Sequence, residues 1–469
     1  MDPKRQPLHD LLAPFGQQHV LAFWDELDLD QRRHLADQVR DLRLDELDKL
    51  FHAADSLHDW AALARRAHAP PAFRLGQRQR IISPDQALDR GQQALAAGQV
   101  GVILVAGGQG TRLGFDQPKG MFPIGPVSGA SLFQILIEKI LARSRTAGIR
   151  IPLYLMTSPA THADTLAYLA STENFGLAQE DLKVFCQGTM PAVDHRTGRL
   201  LMASKHELAL SPDGHGGMLR ALATSGGLAD IRLRGLRQLF YCQIDNPLVE
   251  MCDPEFLGYH LLSSSELSTQ VVAKRTSRDK VGNVVSIDGK LQILEYSDLN
   301  PLDDEIVERR GADGSNVFWA GNTAIHVFDV PLVDRIAQSD LGLPFHIARK
   351  AVPHVDPSGQ PVEPAEPNAV KFERFIFDLL PEARQAIVVE VDEARSFAPL
   401  KNAPGEPRDT PESVQRQLSD LHAGWLRAAG CEVAPDATVE ISPLFAQSVD
   451  EVAARLQPGL VVTGRRYFC

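Results

Sequence analysis

The sequence predicts an α/β protein: a mixed, mostly parallel sheet flanked by helices, with a helical region before it and a small C-terminal domain after it. Three observations carry this. From Val100 to about residue 392, short apolar runs alternate with amphipathic helical stretches. Strand, helix, strand in that order argues for parallel pairing with helices on both faces. The first run, Val100–Val105, ends in a glycine-dense loop, where sheets of this kind bind their ligands. The expected divisions are a helical region over 1–95, the α/β core over 96–392 and the C-terminal domain over 393–469.

Each element has its own signal. Val20, Leu21, Trp24 and Leu27 stand at helical spacing, and a second helix is expected over Asp30 to Leu50, its mixed charges marking a solvated face. Ala69-Pro-Pro-Ala72 breaks the pattern and reads as a linker, followed by a helix near Asp85 to Ala97. Strands are expected at Val102–Val105, Ile151–Met156, Lys183–Cys186, Gln238–Ile244, Thr269–Ala273, Val284–Ile287, Leu291–Leu294 and Ala324–Phe328. Ser131 and Gln134 have capping-box spacing; Leu132, Ile135, Leu136 and Ile140 then share a helix face, which Gly148 closes. A last helix spans about Pro411 to Ala429, and strand-like pieces run from there to Cys469.

Composition narrows the partners. The chain has 469 residues, 44% of them apolar and 23% charged, as a globular protein of two or three domains would. A net charge of −12 argues against nucleic acid, though a few converging cations can still hold a small polyphosphate. Cys186, Cys242, Cys252, Cys431 and Cys469 are too sparse for a disulfide framework or a zinc site and fit a reducing compartment. The N-terminus lacks a signal-peptide core, and no window of 18 apolar residues exists. The expectation is a cytoplasmic protein with no membrane partner, monomeric by default.

The loop Val105-Ala-Gly-Gly-Gln-Gly-Thr-Arg-Leu-Gly114 poses the chemical question. Leu113 stands where a dinucleotide fingerprint needs its third glycine, and no Gly-Lys-Ser/Thr ends the loop as a P-loop requires. Gly107, Gly108 and Gly110 let a base or phosphate approach bare main-chain N–H groups. Arg112 can grip phosphate oxygens as a fork. Lys119, one of only twelve lysines, stands behind a stiffening Pro118. By spacing alone, a plain strand-to-helix turn with surface cations remains open.

Leu104 to Leu113, taken with Pro118-Lys-Gly-Met121, resembles the signature of the UTP-dependent sugar-1-phosphate uridylyltransferases, and within them the UDP-N-acetylhexosamine branch. The resemblance runs from Gln17 into the C-terminal region. It implies a Rossmann-like nucleotidyltransferase core that takes UTP and a sugar 1-phosphate and gives a UDP-sugar and pyrophosphate, with Mg2+ and no organic cofactor. Arg112, Lys119 and Lys401 would be the cations on the phosphates. Ala106, Gly107, Gly108, Gln187, Gly214 and His215 would line the nucleotide, Gln187 meeting the uracil. Asp245, at the tip of the Gln238 strand, would hold the metal. Asn246, Gly282, Glu295 and Asn322 would meet the sugar. Phe375 and Phe377, read as alternate residues of an extended segment, would pack an acetyl methyl, worth about 0.8 kcal/mol. His215 departs from the branch: N-acetylglucosamine enzymes carry asparagine there, glucose enzymes histidine.

The expected chemistry needs no protein nucleophile, because a sugar 1-phosphate is already an anion able to attack the α-phosphorus of UTP. The protein's task is to orient two polyanions and offset their repulsion. N-acetylglucosamine 1-phosphate is the favoured acceptor, with glucose 1-phosphate or a broad UDP-sugar activity as the alternative. A catalytically silent UDP-sugar-binding regulator is the reading of a different class. An oxidoreductase fails on the missing glycine.

Overall fold

The computed structural model describes residues 2–53, 59–77, 82–311, 314–339 and 342–469. Contacts divide the chain into two units: residues 60–186, 219–342 and 377–469 form the larger, and residues 1–59, 187–218 and 343–376 the smaller. The units interleave along the sequence.

The larger unit is built on one sheet. Its strands are β1 (Ala72–Phe73), β2 (Val100–Val105), β3 (Leu153–Thr157), β4 (Leu182–Cys186), β5 (Gln238–Gln243), β6 (Leu267–Ala273), β7 (Asn283–Ile287), β8 (Lys290–Leu294), β9 (Ala320–Asp329) and β10 (Ala386–Glu390). They lie in the order β1-β10-β6-β9-β5-β2-β3-β4, with the β7–β8 hairpin attached to β9. All pairs on this path are parallel except those of β9, which runs antiparallel to both its neighbours. The sheet is therefore mixed and mostly parallel, as expected. β2 is buried along its whole length, as a central parallel strand must be.

Register decides what the sheet presents. Val105, the last residue of β2, lies opposite Gln243 of β5 on one side and Met156 of β3 on the other. The glycine loop and the Asp245 turn therefore leave adjacent strands at the same edge.

Ser131 caps the helix Leu132–Ala147 by accepting from Gln134 N at 3.1 Å, and Gly148 closes it at φ 67°. The reciprocal half of the capping box is not formed, because the Gln134 side chain donates to Glu138 instead. The helix Pro411–Ala428 matches expectation. A helix at Val449–Arg455 interrupts the expected strand pieces; Ser448 and Glu451, three apart, carried its signal.

In the smaller unit two helical expectations are corrected. Val20, Leu21, Trp24 and Leu27 are all buried, but the first three sit on two 3-10 turns, Gln18–Leu21 and Trp24–Glu26, and Leu27 is the extended residue that ends the second. Gln17 bonds Gly198 O and Leu200 N, and His19 bonds Leu200 O, so the segment is pinned side-on. The single helix over Asp30 to Leu50 is two, Leu29–Asp41 and Leu44–Ala53. A continuous helix burying Leu35, Ala36 and Val39 would next bury Arg43 and Glu46; the break at Leu42 rotates Leu44 and Leu47 inward instead.

In the larger unit, helices Pro84–Ala96 and Pro254–Leu262 meet at two glycines. A Cβ on Gly91 would lie 1.8 Å from Pro254 O, and one on Gly258 would lie 1.7 Å from Ala87 O. Gly91→Ala and Gly258→Ala are each expected to destabilise by about 1–3 kcal/mol, since backbone cannot yield as a side chain does. Denaturant unfolding followed by circular dichroism measures this.

Candidate active site

The loop after β2 is folded on itself. Ala106 N donates to Met156 O, Gly110 N to Gln117 O and Lys119 N to Gly108 O, so Lys119 is brought back beside the glycines. Thr111–Leu113 forms a 3-10 turn that leaves Arg112 exposed. Gly108 and Gly110 are glycine for different reasons. A Cβ on Gly110 would stand 2.6 Å from Phe115 O, whereas one on Gly108 would meet nothing within 4 Å. The fold itself requires Gly110 and not Gly108.

Lys119 Nζ lies 3.7 Å from Asp245 Oδ2, both side chains only 17% exposed. Burial lowers the Lys119 pKa, Asp245 opposes that, and the charges of Lys401 and Arg112 lower it further. Arg112, Lys401 and Asp245 are thus the charged neighbours of Lys119, and a second carboxylate, Asp409, stands beside Lys401.

The carboxylate is held by its backbone. Asp245 O accepts from Leu400 N at 2.8 Å. Asn246 donates from Nδ2 to Ser396 O and accepts at Oδ1 from Leu248 N and Ala398 N. Asn246, expected at the sugar, thus ties segment 396–400 to the strand tip and sets Lys401 beside it. Among the described residues no three His, Cys, Asp or Glu side chains gather as a closed metal site. One strand-tip carboxylate fits magnesium, which keeps waters and takes its other ligands from phosphate.

The sugar candidates form a second group in the larger unit. A Cβ on Gly282 would lie 3.0 Å from Glu295 Oε1 and 3.7 Å from Asn322 Cβ, so the three are neighbours. Asn322 N donates to Gly282 O, and its Oδ1 accepts from Ala324 N at 3.1 Å. Lys274, missed in the sequence, supports the group: its ammonium bonds Ser277 O and Asn283 Oδ1, and Asn283 Nδ2 donates to Leu294 O. Burial pushes the Lys274 pKa down to about 8. A charged residue directly after an apolar strand was the available signal.

In the smaller unit, Gln187 Nε2 contacts Asp213 Oδ1 at 3.4 Å and Gly214 O at 3.5 Å. Arg374 N donates to Asp213 O, and Ile376 N donates to His215 Nδ1 at 3.1 Å. The His215 ring stacks on Phe375 at 5.3 Å, and His346 covers Phe375 at 4.4 Å. The alternation that put Phe375 and Phe377 on one side does not hold. The strand Ala369–Arg374 ends before them, and a 3-10 turn begins at Ile376. Phe377 is buried, 6% exposed, and belongs to the larger unit.

Comparison with known proteins supplies context. The family model described as UTP–glucose-1-phosphate uridylyltransferase (UDPGP) matches residues 62–419. The UDP-N-acetylglucosamine pyrophosphorylase of Saccharomyces cerevisiae is 38% identical over 75% of this chain and 75% of its own. The UDP-N-acetylhexosamine pyrophosphorylase-like protein 1 of Xenopus tropicalis is 35% identical over 92% of this chain and 89% of its own. The solved structure of the Trypanosoma brucei uridine diphosphate N-acetylglucosamine pyrophosphorylase has a TM-score of 0.82 at 25% identity, covering 98% of both chains.

The glycine contrast separates binding from folding. Gly108→Ala is expected to keep the melting temperature and weaken nucleotide binding at least about tenfold, whereas Gly110→Ala is expected to lower stability; calorimetry reads both. A second expectation concerns acid. Burial pushes His215 down to about 4 and His422 to about 3, below the usual ~6.5 of an unfolded histidine. Both are neutral when folded, so their contribution is present above about pH 6.5 and is lost as pH falls toward 4. Unfolding free energy should drop between pH 7 and 5, and His215→Asn should make that drop shallower.

Proposed function

The chain belongs to the UDPGP family, and we propose that it transfers the uridylyl group of UTP to N-acetylglucosamine 1-phosphate, releasing pyrophosphate. The observation that carries this is the cluster of Arg112, Lys401 and Asp245 around Lys119, at the carboxyl ends of adjacent parallel strands β2 and β5. Cations held this close repel one another, and a polyphosphate would offset that repulsion.

In this reading the nucleotide lies against Ala106, Gly107 and Gly108, with its phosphates toward the three cations. Gly282, Glu295 and Asn322 hold the sugar: Glu295 accepts from hydroxyls, and Asn322 offers its amide. A phosphate oxygen of the sugar phosphate attacks the α-phosphorus, the bond from that phosphorus to the bridging oxygen breaks, and pyrophosphate leaves with the electron pair. Asp245 would hold magnesium, which supplies positive charge to the phosphate oxygens when bound. Arg112, Lys119 and Lys401 stabilise charge on the transferring group and on the departing pyrophosphate.

The similarity to proteins named for N-acetylglucosamine supports that acceptor over glucose. His215 pulled the other way in the sequence, yet its ring is occupied by Ile376 N and Phe375. It has a place in the fold without reading a sugar. No helix among the described residues is long and apolar enough to cross a membrane, and the five cysteines are free thiols, as a reducing compartment would keep them.

Pyrophosphate release with UTP and each sugar phosphate in turn tests the proposal. N-acetylglucosamine 1-phosphate should be preferred over glucose 1-phosphate. Arg112→Ala, at an exposed position, should lower kcat/KM by about 100-fold with little change in melting temperature. Near-normal turnover by that variant would remove the cation cluster from the mechanism. UTP binding without pyrophosphate release for any sugar would favour a silent binder.

A further inference from the structure

We propose that Lys139 is a positioning residue for the Asp245 turn, an inference that rests on the uridylyltransferase reading above. Lys139 interrupts the apolar face of helix Leu132–Ala147, among Ile135, Leu136 and Ile140. A partly buried ammonium there costs desolvation unless its donors are used. Two of its three are: Nζ donates to Pro247 O at 2.6 Å and to Val249 O at 2.9 Å. One turn on, Arg143 Nε donates to Met251 O at 3.2 Å. Residues four apart advance about 6 Å along a helix, so Lys139 and Arg143 reach successive parts of the turn-rich segment 247–251. The two cations therefore take alternate carbonyls of the segment that begins two residues after Asp245.

The turn is held from two directions. On one side the Asn246 amide and Asp245 O engage segment 396–400. On the other stands the cationic side chain of Lys139. Asp245 sits on a short connection with no ladder partner of its own beyond Ile244, so its carboxylate is placed by these ties. Withdrawing Lys139 strips the donors from Pro247 O and Val249 O and lets the turn move. A shift of about 1 Å is enough to misplace a metal-bearing carboxylate.

The test measures coupling rather than turnover, in the full chain. UTP affinity is determined by calorimetry with and without magnesium, and the ratio is the gain that the metal brings. Lys139→Met is expected to cut that gain about tenfold while leaving magnesium-free UTP affinity within about twofold of wild type. A lower melting temperature with an unchanged gain would show that Lys139 supports only the fold, and would overturn the proposal. Should Lys139→Met fail to fold, Lys139→Gln keeps an uncharged NH2 donor on a side chain one atom shorter. An expected loss of about threefold then decides the matter, and an unchanged gain again overturns it. Failure of the underlying reading looks different: wild-type protein would bind no UTP, or release no pyrophosphate with any sugar phosphate.

Discussion

The parallel pairing of β2 with β5 is the constraint on which the rest of the structure depends. Their residues are far apart in sequence, yet register aligns Val105 with Gln243. That alignment turns two separate chain features, a glycine loop and an aspartate turn, into one edge. Had β5 paired one residue out of step, its alternate side chains would have exchanged faces and Asp245 would have left the edge differently. The Lys119–Asp245 contact is the consequence of this register.

Around that edge the polar ties are made by groups distant in sequence. The C-terminal residues do more than hang from the core. Leu400, Val414 and Leu418 belong to the same apolar cluster as Leu104, Phe133 and Phe240, while Ala423 to Val462 form a smaller cluster of their own. Glu440, buried on the last sheet pair, accepts from Val127 N, Ser128 N and Ser128 Oγ in the loop between Lys119 and helix Leu132–Ala147. A buried carboxylate fully engaged by donors fixes a loop more firmly than apolar contact, because leaving it unpaired is costly. Lys119 is thus backed by a C-terminal strand as well as by its own loop.

Much of this was legible in the sequence, for local reasons. β2, β3 and β5 read as strands because a strand buried on both faces is a continuous apolar run. Arg112, Lys119 and Asp245 were legible because glycine spacing and a carboxylate at a strand tip are short-range features. What escaped depended on long-range partners. Lys139 reads as a solvated helix lysine until the carbonyls of Pro247 and Val249 are seen above it. The Phe375–Phe377 pairing assumed a strand that continues, whereas the chain turns at Ile376. The helix break at Leu42 was present in the phase of the apolar residues and was obscured by good helix formers on both sides.

The charge arrangement shows why the edge exists. Stability alone would not bring Arg112, Lys119 and Lys401 within reach of one another: like charges repel, and burial of Lys119 adds a desolvation penalty that Asp245 opposes only in part. Folds that break a local rule without a local gain do so where function requires it. The same holds for Gly108, whose missing Cβ relieves no contact inside the chain. A glycine that the fold does not require thus stands beside a cluster of cations. The proposed polyphosphate, close against the main chain there, would account for both.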